Sequence, residues 1–290
     1  LFRSLAVGGT RLDRVWLPFA YTDGVAIVEA GRVSLGPAAA TLAARVALPA
    51  GRLDPAALEA APLHAELRAP AFDLDSLSAW LPAGWPASGR VAARARVDGT
   101  LGSWRVLGEA NAPRLAVRGR VVEAVSVTFA ADSRRLALHR VSARVLGLPL
   151  VASGEWQWQG TGRFSAEVPG AEFETLRAPW PALQPSGHLA GRAEITVDAG
   201  RVGGTASLTA GAMTVAGIRL GDGRVTATLL DGRLHAAAQF PGAGVTATVR
   251  GPADGSPLAV HLEARDVDAG PVLARWVPAP TAAAARGSLV

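Results

Sequence analysis

The sequence has no cysteine and no lysine among its 290 residues, and its aromatic residues amount to only 6%, with a single tyrosine. Without cysteine there is no disulfide framework, no metal–thiolate site and no thiol nucleophile. Without lysine there is no phosphate loop ending in Lys-Ser or Lys-Thr. An outer-membrane barrel carries aromatic girdles at both interfaces, which so few aromatics do not supply. No stretch approaches the roughly 20 consecutive apolar residues that a membrane helix needs.

Charge is also scarce. Charged residues make up 18% against 49% hydrophobic, and the mean hydropathy is +0.24. Every basic residue is Arg, the net charge is +5 and the pI is about 11.1. Coding by a GC-rich genome gives the same enrichment in Arg, Ala and Gly. The arginines alternate with apolar residues and form no block, which argues against a nucleic-acid surface. Weak attraction to anionic lipid head groups stays open.

Chemistry-bearing constellations are missing. The five histidines, His64, His139, His188, His235 and His261, stand far apart with no His-x-x-His pair, so no metal site is expected. There is no Gly-x-Ser-x-Gly elbow. The doublets Gly203-Gly204 and Gly221-Asp222-Gly223 read as turns with φ > 0. The carboxylate pairs Asp73/Asp75, Glu172/Glu174 and Asp266/Asp268 recur along the chain. Recurrence favours caps at a structural corner over an acid–base dyad. The expectation is a protein that is not an enzyme and holds no cofactor.

What is present is alternation. Val25–Val28 and Arg32–Leu35 read as strands around an Ala-Gly turn, and Leu42, Ala44, Val46 and Leu48 share one face of a third. Asp54 and Pro55 open a short helix as N-cap and first helical residue. Leu63, Ala65 and Leu67 restart a strand. A polar corner follows, Asp73-Leu74-Asp75-Ser76-Leu77, then Trp80-Leu81-Pro82 and Trp85-Pro86-Ala87-Ser88-Gly89. One helical turn fits there, capped by Asp73 or Asp75. Beyond it Val91, Ala93, Ala95 and Val97 face one way, and Arg90, Arg94, Arg96 and Asp98 the other. Asp98-Gly99-Thr100 reads as a turn. Strands follow over Trp104–Ala110, Leu115–Arg118, Val121–Ala130, Leu136–Val145 and Leu148–Trp158, with a hairpin turn at Asp132-Ser133-Arg134.

The same order then returns about 98 residues later. Glu172-Phe173-Glu174-Thr175-Leu176 matches Asp73–Leu77 class for class. Pro185-Ser186-Gly187-His188 matches Ala87–Arg90, and Ala193, Ile195 and Val197 take the places of Ala95, Val97 and Gly99. Val225-Thr226 matches Val127-Thr128. A third copy opens at Asp266-Val267-Asp268 and runs through Trp276-Val277-Pro278 to Arg286-Gly287. The implied division is a partial unit over 1–62, full units over 63–162 and 163–260, and the start of another over 261–290. Each unit would hold seven or eight strands. A start at Leu1 and an end inside a strand-like pattern fit a piece of a longer protein. With no helices alternating with strands, the expected class is all-β: an elongated, curled antiparallel repeat sheet with short helical or Pro-rich corners.

Asp73–Leu77, Leu81-Pro82, Ala87–Arg90 and Asp98-Gly99-Thr100-Leu101, with Trp104 and Gly108 behind them, resemble the repeats of the TamB and AsmA-like family. The resemblance lies in pattern and period and covers residues 63–290, more weakly 1–62. It implies a β-taco groove in the periplasm or cell envelope, anchored in the inner membrane by a helix outside this stretch. It implies conduction of phospholipid between the inner and outer membranes, and a partner barrel of the Omp85 class. The acyl chains would lie on Val91, Ala93, Ala95, Val97, Val125, Val127, Phe129, Leu136, Leu138, Trp156, Trp158, Ala193, Ile195, Val197, Val225, Ala227, Leu229, Leu234, Ala236 and Ala238. Many of these are Ala, where a closed core would hold more Leu, Ile and Phe. Two other readings stand beside it: an envelope scaffold that binds client strands at its sheet edges and assists outer-membrane protein assembly or secretion, and a repetitive adhesin-like array.

Overall fold

The computed structural model describes residues 5–7, 10–12, 14–35, 38–48, 54–77, 87–117, 119–177, 184–215, 217–253 and 256–265. The corner residues Trp80–Pro86 and the third copy from Asp266 onward lie outside the described residues. Of the described residues 79% are in strands, nearly all of them antiparallel. With one helix of five residues beside it, this is the expected all-β class.

Two compact units make up the chain. The first is Leu1–Arg144 with Glu155–Gln159, and the second is Val145–Gly154 with Gly160–Val290. The first opens with short strands β1 (Leu5–Val7), β2 (Thr10–Leu12), β3 (Arg14–Trp16) and β4 (Phe19–Thr22). Long strands follow: β5 (Val25–Leu35), β6 (Ala38–Ala47), β7 (Pro62–Asp73), β8 (Ala87–Thr100), β9 (Trp104–Val117), β10 (Arg120–Asp132) and β11 (Arg135–Val145). From β5 to β10 each strand pairs antiparallel with the next. Helix α1 (Pro55–Glu59) starts as its sequence dictates: Asp54 Oδ1 accepts the Ala57 N–H at 2.7 Å, and Pro55 stands where no donor is needed.

Strand β12 (Leu148–Gln157) leads into the second unit. There β13 (Thr161–Glu172), β14 (Ser186–Asp198), β15 (Arg201–Val215), β16 (Ile218–Leu230), β17 (Arg233–Phe240), β18 (Val245–Pro252) and β19 (Ala259–Ala264) form a second antiparallel meander.

The 98-residue period is built into these elements. Arg120 and Ile218 open β10 and β16, and Asp132 and Leu230 close them. Arg135 and Arg233 open β11 and β17, and Thr161 and Ala259 open β13 and β19. Among the described residues each repeat therefore holds six strands, β8–β13 and β14–β19, where seven or eight were expected. The difference has a local cause. Trp104–Ala110 and Leu115–Arg118 fuse into β9, because Pro113 is accommodated without a break.

Four expected turns move. The doublet Gly203-Gly204 lies inside β15, and Gly221–Gly223 inside β16. Ala30-Gly31 falls at a register shift within one strand, β5. The first hairpin of the repeat turns at Leu101–Ser103, where Thr100 and Ser103 exchange backbone bonds of 2.9 and 3.2 Å. Asp98 is engaged elsewhere. The Asp132 turn falls where expected, its Oδ1 accepting the N–H groups of Arg134 and Arg135 at 2.8 and 3.0 Å.

At each corner the chain leaves a strand through a single 3-10 turn, Leu74–Leu77 after β7 and Phe173–Arg177 after β13. The acid before the turn does not cap it. Asp73 reaches Arg90 across the strand pair at 3.7 Å, and Glu172 reaches His188 at 3.0 Å. The strand that follows carries a glycine at positive φ next to a register shift, Gly89 at 130° and Gly187 at 114°. A Cβ there would press on the carbonyl oxygen of Arg114 or Gly211, so only glycine fits.

Candidate functional site

Side chains in a strand alternate between two faces, and residues paired across an antiparallel ladder share a face. Register alone therefore sorts both sheets. In the first unit Ala65, Leu67 and Ala69 on β7 pair with Val97, Ala95 and Ala93 on β8. These pair in turn with Val106, Gly108 and Ala110 on β9, which meet Ala131, Phe129 and Val127 on β10. One face is apolar from strand to strand. Val91, Ala93, Ala95, Val97, Val125, Val127 and Phe129 all lie on it. Leu136 and Leu138 are half-buried on the opposite side of β11 from Arg135, which pairs with Glu155 at 2.9 Å.

In the second unit the face resolves into rows crossing the strands. Phe164, Ile195, Gly204, Leu229 and Leu234 form one row across β13–β17. Ala166, Ala193, Ala206, Ala227 and Ala236 form the next, and Val168, Gly191, Leu208, Val225 and Ala238 the one beyond. The middle row is alanine throughout, with larger side chains in both flanking rows. At about 4.8 Å per strand it runs roughly 19 Å, about 7 Å from the row on either side. Val197 lies on the same face, paired with Gly162 and Val202.

The two Trp residues expected on this face part company. Trp156 is half-buried and follows Glu155 in β12, so it points away from the side on which Glu155 meets Arg135. Trp158 lies past the end of the strand, in the turn, 51% exposed. Its indole N–H donates to the Asp132 carbonyl at 2.8 Å. The hairpin claims this residue and the face does not. Several residues of the face were not singled out as lining from sequence, among them Ala110, Ala206 and Leu208. Strand β9 carries Pro113, and β15 carries Gly203-Gly204, which reads as a turn.

The face is sealed beside the corners and, in the first unit, also at Ala65 and Ala69 on β7. In the second unit Phe173 folds over Leu189, Ala210 and Phe240, all buried. In the first, Val91 and Ala112 are buried at the positions 98 residues earlier. Elsewhere on the face most side chains are half-exposed. Among the described residues no large side chain is fully buried. Glycines open further room and are then covered: Phe129 lies over Gly108, Phe164 over Gly154 and Phe240 over Gly223.

The opposite face is charged. In the first unit His64 Nδ1 lies 2.6 Å from Asp98 Oδ1, Arg96 Nε donates to Asp98 at 2.8 Å, and Arg94 pairs with Glu109. The Arg96 hydrogen bond, then that of His64, holds the Asp98 carboxyl below its ordinary range. The N–H groups of Arg134 and Arg135 do the same for Asp132. In the second unit this face is richer in hydroxyls, with Thr205 opposite Thr228 and Ser207 opposite Thr226. Among the described residues no group of three or more His, Asp or Glu side chains is placed to hold a metal ion. No family model matches the chain, and neither does any curated protein or solved structure.

Proposed function

We propose that the apolar face of each unit binds the acyl chains of phospholipid, and that the protein is a non-enzymatic lipid conduit of the cell envelope, of the kind the TamB and AsmA-like resemblance implies. One observation carries the reading. The face continues in register from strand to strand, is floored largely by alanine and glycine, and lacks a packed layer over most of its described extent. Burying an alkyl chain there gains about 0.8 kcal/mol per CH2. A floor of identical small residues makes neighbouring positions nearly equal in energy, so a bound chain slides with little barrier.

Native mass spectrometry of the purified chain tests this. Phospholipid adducts are expected, and they should exchange when lipid of another chain length is added. A lipid-free protein that takes up no added phospholipid would refute the reading.

A further inference from the structure

The two repeats carry the same row of the apolar face with different side chains. In the second unit it runs through Ala166, Ala193, Ala206, Ala227 and Ala236. Strand β12 extends it. Ser153 Oγ lies 3.0 Å from Ser165 Oγ, and Phe164 covers Gly154, which sets Ala152 beside Ala166. Alanine on each strand from β12 to β17 makes a floor about 24 Å long, half-buried along its whole length. Phe164, Ile195 and Leu229 rise along one side of it, and Val168, Leu208 and Val225 along the other. The outcome is a trough one residue wide that crosses the strands.

In the first unit the row at the same register runs Leu67, Ala95, Gly108 and Phe129. Ala95 and Ala193 are equivalent, as are Gly108 and Ala206, and Phe129 and Ala227, each pair 98 residues apart. The last two pairs differ in bulk. Where the second unit has two methyl groups side by side, the first has a glycine with a benzyl ring lying on it. A Cβ on Gly108 would run into that ring. Phe129 therefore fills the trough of the first unit across β9 and β10, at the place where the second unit is open.

We infer that Phe129 sets the length of chain each unit accepts: the second seats one whole extended acyl chain along its alanine row, and the first holds only what fits to one side of the ring. The inference rests on acyl chains being the ligand of the face. The trough itself selects an alkyl chain over a peptide. Its floor and walls offer no hydrogen-bonding side chain, so a peptide laid across the strands would leave its own N–H and C=O groups unpaired.

The test uses phosphatidylcholine with a diazirine midway along a palmitoyl chain. The intact chain is loaded and irradiated, and the cross-linked peptides are quantified by mass spectrometry. In the parent protein, labelling of β14–β17 should exceed that of β8–β11 about tenfold, the ratio expected when the ring leaves about two methylenes without a seat. The double variant Gly108→Ala, Phe129→Ala gives the first unit the pair that the second carries, and should bring the two levels together. The reverse double variant, Ala206→Gly with Ala227→Phe, should lower labelling of β14–β17 about tenfold. A diazirine lipid with hexanoyl chains, too short to need the whole row, should label both units alike in all three proteins and so reports that each variant keeps its fold. Equal labelling of both units of the parent by the long-chain probe, or an unchanged ratio in both double variants, overturns the inference and leaves lipid binding standing. No labelling of either unit by either probe overturns lipid binding itself.

Discussion

Single residues in this protein matter most where they allow close approach or occupy a charged contact. Phe173 is the largest side chain, with Phe240, in the buried cluster of the second unit. Phe173→Ala should cost about 3 kcal/mol, the usual range for a buried aromatic truncated to alanine, read as a lower urea midpoint. Gly187→Ala should also destabilise, by about 1–3 kcal/mol, since it puts a Cβ at positive φ against a carbonyl. Asp98 gives a prediction in pH. Its folded carboxyl is held below the ordinary value by Arg96 and His64. Its contribution is therefore present above the unfolded pKa of about 3.9 and is lost as pH falls through the folded value. Urea midpoints between pH 2 and 6 should fall less steeply for Asp98→Asn than for the parent. The side chains are near half exposed, so the difference should be small and weaken with salt.

At the scale of elements, the strand faces were legible in the sequence because the side-chain period of a strand is two. Val91 to Val97 and Ala193 to Val197 could be assigned to one side before any pairing was known. Turn positions were less legible. Asp98-Gly99-Thr100 has turn composition, but Asp98 is held by His64 and Arg96, and the chain turns three residues later. Gly203-Gly204 reads as a turn until Leu229 and Ile195 are seen across from Gly204 in the ladder. Glycine in this chain also makes space under a neighbouring side chain, as at Gly108, Gly154 and Gly223. Sequence gives no register, and it was register that brought the five alanines into one row.

For the whole molecule, the lipid reading makes a demand that stability does not. Ala227 sits in the middle of the alanine row and is half-exposed. Ala227→Phe should leave the melting temperature nearly unchanged and lower the lipid carried, as measured by native mass spectrometry of both proteins. A large loss of stability with lipid content intact would mean that the row is packing and not a track. The bulges carry a different consequence, for how such a chain can change length. Val28 and Gly31, Ala69 and Phe72, Val168 and Ala171, and Ala210 and Met213 each lie three residues apart and face partners two residues apart. Each absorbs one surplus residue without inverting the strand. Elsewhere in a strand, the loss or gain of a single residue would turn every later apolar side chain to the charged face. Insertions and deletions in descendants of this sequence should therefore come in even numbers within strands, with odd ones confined to turns, corners and register shifts such as these four and those beside Gly89 and Gly187.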